Sequence, residues 1–208
     1  MKHSKSVDYS ELVFIMDRSG SMSSIASDME GAMKDVITKQ KKRKGDVLVT
    51  YVRFDDEYEE VFYEKSISEI DGFKLAPRNM TALLDAIGKT VNTVERWFNQ
   101  KDEEDQPGRV LFVIVTDGGE NASKEFSRPQ VFEMIEKIKR DYDWGFTFIG
   151  ANQDAIGTGN GLGISRGSSV NYAATAKGVR SMSQSVSCYV DDYLKTGKAS
   201  YKSENIEE

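Results

Sequence analysis

Four strongly apolar runs constrain this chain more than any other feature: Leu12–Met16, Val47–Phe54, Val110–Val115 and Gly145–Ile149. Three of them are near-continuous rather than alternating, the pattern of strands buried on both faces of a parallel sheet. Tyr58–Tyr63 follows Val47–Phe54 after the short polar turn Asp55-Asp56-Glu57, which reads as a hairpin and adds one antiparallel edge strand. Ser169–Tyr172 reads as a short further strand. Helical stripes fill the intervals. Ile25, Met29, Ala32, Val36 and Ile37 form one; Leu83, Leu84, Ile87, Val91, Val94 and Phe98 form a second. Val131, Met134, Ile135 and Ile138 follow Pro129, and Val179, Met182, Val186, Tyr189, Val190 and Tyr193 make the last. Strands alternating with helices predict an α/β fold: a doubly wound, mostly parallel central sheet with one antiparallel edge strand, flanked by helices.

The 208 residues suit one domain, expected over residues 10–196 between a polar leader, residues 1–9, and a polar tail, residues 197–208, expected to fray. A single cysteine, Cys188, and a single histidine, His3, exclude a disulfide framework, a Cys-rich zinc site, a multi-His metal site and a Ser-His-Asp triad within the chain. A net charge of −6 argues against nucleic acid as the partner. Met1–Ser10 lacks the apolar segment of a signal peptide, and no apolar run approaches the ~20 residues that span a bilayer. The expectation is a cytoplasmic protein without membrane insertion.

In open α/β sheets ligands bind beyond the carboxyl ends of the strands. There the first strand ends in Asp17-Arg18-Ser19-Gly20-Ser21, the strand Val110–Val115 ends in Thr116-Asp117-Gly118, and Thr81 precedes the second helical stripe. Two carboxylates and three hydroxyls collect on one edge, all of them oxygen donors, a set that suits a hard divalent cation such as Mg²⁺. Asp17, Ser19 and Ser21 occupy alternate positions of one turn, and Gly20 lets it bend tightly. Hydroxyls are weak neutral ligands that leave a cation electrophilic, open to an incoming carboxylate. Whether the carboxylates bind directly or through water stays open at this point. A helix cap would account for Asp17 and Ser19 alone, not for three converging segments.

Asp17-x-Ser19-x-Ser21, Thr81 and Thr116-Asp117-Gly118 resemble the metal-ion-dependent adhesion site of von Willebrand factor A domains, and the order of strands and helices from about Glu11 to Leu194 matches as well. The resemblance implies an intact site in which Ser19, Ser21 and Thr81 contact the metal while Asp17 and Asp117 complete or support its shell. It implies Mg²⁺, with Mn²⁺ or Ca²⁺ as alternatives, and a protein partner that supplies an Asp or Glu side chain. The family often carries glycine before the threonine, where this chain has Asn79-Met80. Compact intracellular members from bacteria and their viruses are similar in size, and several serve AAA+ ATPases as adaptors. A non-catalytic, metal-dependent protein-binding module, with an AAA+ ATPase as a possible partner, is the expectation.

Two other readings stand beside it. A Mg²⁺-dependent phosphohydrolase would use Asp17 as nucleophile, but position 19 is serine where a helper carboxylate is expected, and no lysine motif neutralises a phosphate. A scaffold with a purely structural metal is the other. Around the site, Glu120, Asn121, Asn152 and Asp154 are candidates for a partner-binding rim. Gly157–Gly163 does not fit the G-x-G-x-x-G fingerprint and is expected to be a flexible rim loop. Cys188 is expected to be partly buried, and Trp97 and Trp144 to be packing residues.

Overall fold

The computed structural model describes residues 8–151 and 154–201. Six strands form one sheet: β1 (Tyr9–Asp17), β2 (Asp46–Phe54), β3 (Tyr58–Ser66), β4 (Arg109–Thr116), β5 (Gly145–Ala151) and β6 (Ser169–Tyr172). Their order is β3-β2-β1-β4-β5-β6, parallel throughout except for the antiparallel pair β2–β3 at one edge. Five helices connect them: α1 (Ala26–Gln40), α2 (Leu83–Gln100), α3 (Arg128–Tyr142), α4 (Ala155–Asn160) and α5 (Ala176–Thr196). No helix among the described residues is long and apolar enough to cross a membrane.

The apolar runs are continuous because both faces of the sheet are covered. Leu12, Phe14 and Met16 of β1 meet α1 and α5, whose Val36 and Val186 are fully buried there. Val13 and Ile15 face the opposite layer with Ile87 of α2 and Ile135 of α3. Each such side chain stabilises the fold by roughly 1.5–3 kcal/mol. The chain leaves β1 toward β2 on one side and later returns to place β4 on the other, so the winding reverses between β1 and β4. That reversal opens a crevice beyond the carboxyl ends of these two strands, at Asp17 and Thr116.

Three local expectations are corrected. Gly157–Gly163 is not simply a loop, because α4 covers its first four residues. The Asp154 carboxylate caps Gly157 N–H at 2.7 Å, and a Cβ on Gly159 would lie 2.4 Å from Ser169 Oγ. The glycines there serve a cap and close packing rather than flexibility. The start of the tail does not fray: Tyr201 is buried, stacks on Tyr189 and shares a 2.8 Å hydrogen bond with Thr147. Residues 202–208 lie outside the described residues, as do His3 and most of the leader. Cys188 is exposed on α5 rather than partly buried. Trp144 is a packing residue, buried against Phe98; Trp97 stacks on Tyr63 with one side in solvent.

Glu11, buried within β1, accepts a hydrogen bond from Thr50 Oγ1 at 2.7 Å. Burial pushes its carboxyl up to about 7; the Thr50 hydrogen bond and Lys101 pull it down, and Glu64 raises it. Because the folded value lies above the unfolded one, this stabilisation is complete below pH 4.5 and is lost as pH rises through 7, amounting to roughly 3 kcal/mol. Glu11→Gln keeps an acceptor for Thr50 without the titration. Chemical denaturation at pH 5 and pH 8 is expected to show a smaller loss of stability in that variant than in the parent chain.

Candidate functional site

Asp17 is the last residue of β1 and fully buried. Its Oδ2 accepts a hydrogen bond from Thr116 Oγ1 at 2.5 Å, which ties β1 to the end of β4, and its Oδ1 accepts from Ser19 N–H at 2.6 Å. The second contact turns the chain into a short 3-10 helix, Gly20–Ser24, with Ser19 extended at its start. Ser19 Oγ and Ser21 Oγ then lie 3.1 Å apart, and Ser21 Oγ donates to Asp117 Oδ1 at 2.6 Å. Burial raises the Asp17 carboxyl to about 6, against the hydrogen bonds from Thr116 and Ser19; the nearby Asp117 charge adds to the rise. Burial also holds Asp117 above its ordinary value, opposed by Ser21. Two desolvated carboxylates side by side favour a nearby positive charge.

Gly118 shows how closely the hydroxyls converge. A Cβ placed on it would stand 3.2 Å from Thr81 Oγ1, 3.6 Å from Ser21 Oγ and 3.8 Å from Ser19 Oγ. The hydrogen atom of a glycine leaves that cradle open. Among the described residues no group of three or more His, Cys, Asp and Glu side chains is arranged to hold a metal ion. A cation held here would therefore rest on hydroxyls supported by Asp17 and Asp117, and this hard-oxygen donor set fits Mg²⁺ or Mn²⁺.

Backbone bonds hold Thr81 against the first loop. Gly20 N–H donates to Asn79 O at 3.1 Å, Arg78 N–H to Arg18 O at 2.8 Å, and Ala82 N–H to Asp55 O at 2.7 Å. Asn79 has φ +56°, a left-handed conformation that asparagine tolerates better than most residues. It supplies at that place what glycine would otherwise provide. Beneath lies an ion network that no sequence pattern singles out. The buried Asp55 carboxylate meets Arg18 Nε at 3.3 Å and Arg78 Nε at 2.5 Å, while Arg18 also reaches Glu59 at 2.5 Å.

The other flank of Thr81 is fixed by the loop after β4. Asn121 Oδ1 accepts from Thr81 N–H at 2.9 Å, and Thr81 O accepts from the N–H groups of Asn121 and Ala122. Glu120 accepts from Leu84 N–H at the start of α2, and from Ala122, Ser123 N–H and Ser123 Oγ within its own loop. Asp85 accepts from three consecutive backbone N–H groups, those of Lys124, Glu125 and Phe126, at 2.8–2.9 Å. In the sequence Asp85 is an acid in the first turn of α2, on the side of Lys89 and Asn92 rather than on the apolar stripe. Phe126 packs so closely on Gly88 that a Cβ there would lie 2.5 Å from the ring.

The structure thus brings Asp17, Ser19, Ser21, Thr81 and Asp117 together. Of the rim candidates, Glu120 and Asn121 spend their carboxylate and amide oxygen on holding Thr81 and α2, and Asp154 caps α4. Asn152 lies outside the described residues.

No family model matches the sequence, and no curated protein matches it. Solved structures do match. Proximal thread matrix protein 1 from the mussel byssus, in a structure with a zinc-occupied MIDAS motif, superposes with a TM-score of 0.60 at 16% identity, over 96% of this chain and 48% of that one. The vWF domain of the type V pili tip protein Mfa5 from Porphyromonas gingivalis matches at 0.58 and 10% identity, over 86% and 95%. A von Willebrand factor type A protein from Catenulispora acidiphila matches at 0.56 and 11%, over 87% and 42%. The chain spans about half the length of the mussel protein. At these identities the likeness is one of fold: an α/β fold of the von Willebrand factor A type.

Two outcomes follow from the geometry. Gly118→Ala is expected to leave the melting temperature nearly unchanged while removing Mn²⁺ binding read by electron paramagnetic resonance; undiminished binding would place the cation elsewhere. Asp85→Ala leaves three N–H groups without their acceptor, and denaturant titration should show a loss of about 2–4 kcal/mol.

Proposed function

We propose that this chain is a non-catalytic, cation-dependent protein-binding module. Ser19, Ser21 and Thr81 would hold a Mg²⁺ ion, with Asp17 and Asp117 supporting the shell; Mn²⁺ or Ca²⁺ could replace it. When bound, the cation offers an electrophilic position for a carboxylate oxygen. The observation that carries this reading is the convergence of three hydroxyls on the space above Gly118, next to two desolvated carboxylates at the edge of the sheet. Three neutral ligands leave much of the ion's charge uncompensated, so an acidic side chain of a partner binds better than a neutral one. The zinc in the mussel protein's MIDAS motif supports a divalent ion on this fold and makes Zn²⁺ a further ion to test.

The role of the surrounding residues is positional. Thr116 and Ser19 N–H orient the Asp17 carboxylate, and the Arg18–Asp55–Arg78 network keeps the first loop and the Thr81 segment in register. Asn121, Glu120 and Asp85 hold Thr81 from the other side. We place the protein in the cytoplasm, in the compact bacterial or phage branch of the fold, with an AAA+ ATPase as the partner that the likeness to intracellular adaptors favours.

Titration calorimetry with Mg²⁺, Mn²⁺, Ca²⁺ and Zn²⁺ tests the site, and capture from host lysate in Mg²⁺ or chelator tests the partner. Asp17→Ala is expected to weaken cation binding about 10–100-fold and to release a partner otherwise held only in Mg²⁺. Replacing the partner's critical Glu or Asp by the amide should release it equally. A partner retained in chelator and by Asp17→Ala would show that association uses another face.

A further inference from the structure

Tyr172 ends β6, the strand farthest from β1 on this side of the sheet. The residue is 5% exposed, and its buried hydroxyl has no hydrogen-bond partner among the described residues. Buried hydroxyls are ordinarily satisfied, and phenylalanine would fill the same space without an unpaired oxygen. Some group is therefore expected to meet this one when the protein is at work.

The register points to where that group sits. Thr116 is level with Gly150, and Gly150 with Asn171, while Ala151 is level with Tyr172. Asp117 is the first residue after β4, one position beyond the row of Thr116, Gly150 and Asn171. Val115, Ala151 and Tyr172 belong to one core layer, and Asp117 leaves the end of β4 two residues after Val115. Two strand spacings, about 10 Å, separate Asp117 from Tyr172 at the backbone, and the residue between them carries only a methyl group. The charges of Asp117 and Asp17, after burial itself, raise the phenol above its ordinary value, so the ring's polar end lies within reach of their field.

We infer that Tyr172 is a positioning residue of the cation site, its hydroxyl hydrogen-bonding a water molecule of the cation's shell on the Asp117 side. The inference rests on the reading of the site as a cation site. Mg²⁺ retains water wherever protein oxygens are missing, and groups that orient such ligands tune affinity for the ion. The phenol can donate to that water or accept from it. In this arrangement a water of the cation's shell would be the partner of the Tyr172 hydroxyl.

Tyr172→Phe removes the oxygen alone, and its effect has opposite signs in the two states. In chelator the variant is expected to melt at or above the temperature of the parent chain, because an unpaired buried hydroxyl is gone. In Mg²⁺ the rise in melting temperature should shrink, and Mg²⁺ and Mn²⁺ affinities by calorimetry should fall by about tenfold. Water-proton relaxation with Mn²⁺ should report faster exchange of bound water, a change that a packing defect does not produce. Equal affinity in both proteins, or a lower melting temperature of the variant in chelator, would overturn the assignment. Failure of the parent chain itself to bind either ion would instead overturn the cation-site reading, and this inference with it.

Discussion

The fold and the site meet in one buried carboxylate. Asp17 takes Thr116 Oγ1 on one oxygen and Ser19 N–H on the other, so a single group both joins the ends of two central strands and bends the chain into the serine loop. Removing a buried charge from water is costly unless hydrogen bonds and nearby positive charge compensate. Two hydrogen bonds oppose the burial of Asp17 only in part, and burial holds its carboxyl above the ordinary value. On the proposed reading, that residual imbalance is a physical reason for a cation to bind in the neighbouring cradle, at the sheet's switch point.

The scaffold around this carboxylate is built to keep three loops in register. On one flank, backbone bonds from Gly20, Arg78 and Ala82 and the ion network around Asp55 hold the Thr81 segment against the serine loop. On the other, Asn121, Glu120 and Asp85 hold it against the loop after β4. Breaking a buried pair such as Arg18–Asp55 leaves an uncompensated charge and typically costs about 3–5 kcal/mol. This bracing lets small hydroxyl groups from distant parts of the chain share one point without a cysteine or histidine to anchor them.

Much of this was legible in the sequence because it depends on patterns that sequence preserves. The continuous apolar runs reported a sheet covered on both faces, and the short turn Asp55-Asp56-Glu57 reported the hairpin. Asp17, Ser19 and Ser21 stood out because they follow a buried strand at alternate positions. Interactions that hide in the third dimension were not legible. Asp85 looks like an ordinary acid in the first turn of a helix, and its acceptance of three loop N–H groups depends on a segment forty residues away. Arg18 and Asp55 look like surface charges of two separate turns. The glycines after Asp154 read as a loop because the cap and the close approach to Ser169 that make them helical are set by β6. Tyr201 escaped notice because its partners, Tyr189 and Thr147, come from two other elements.

A crystal of the full chain grown with Mn²⁺ and measured at a wavelength where manganese scatters anomalously tests the central claim most directly. The account predicts one strong anomalous peak in the cradle beside Gly118, within bonding distance of Ser19 Oγ and Ser21 Oγ, with Thr81, Asp17 and Asp117 around it. A crystal saturated with manganese that shows no peak there, or shows its peak at another cluster of oxygens, would contradict it.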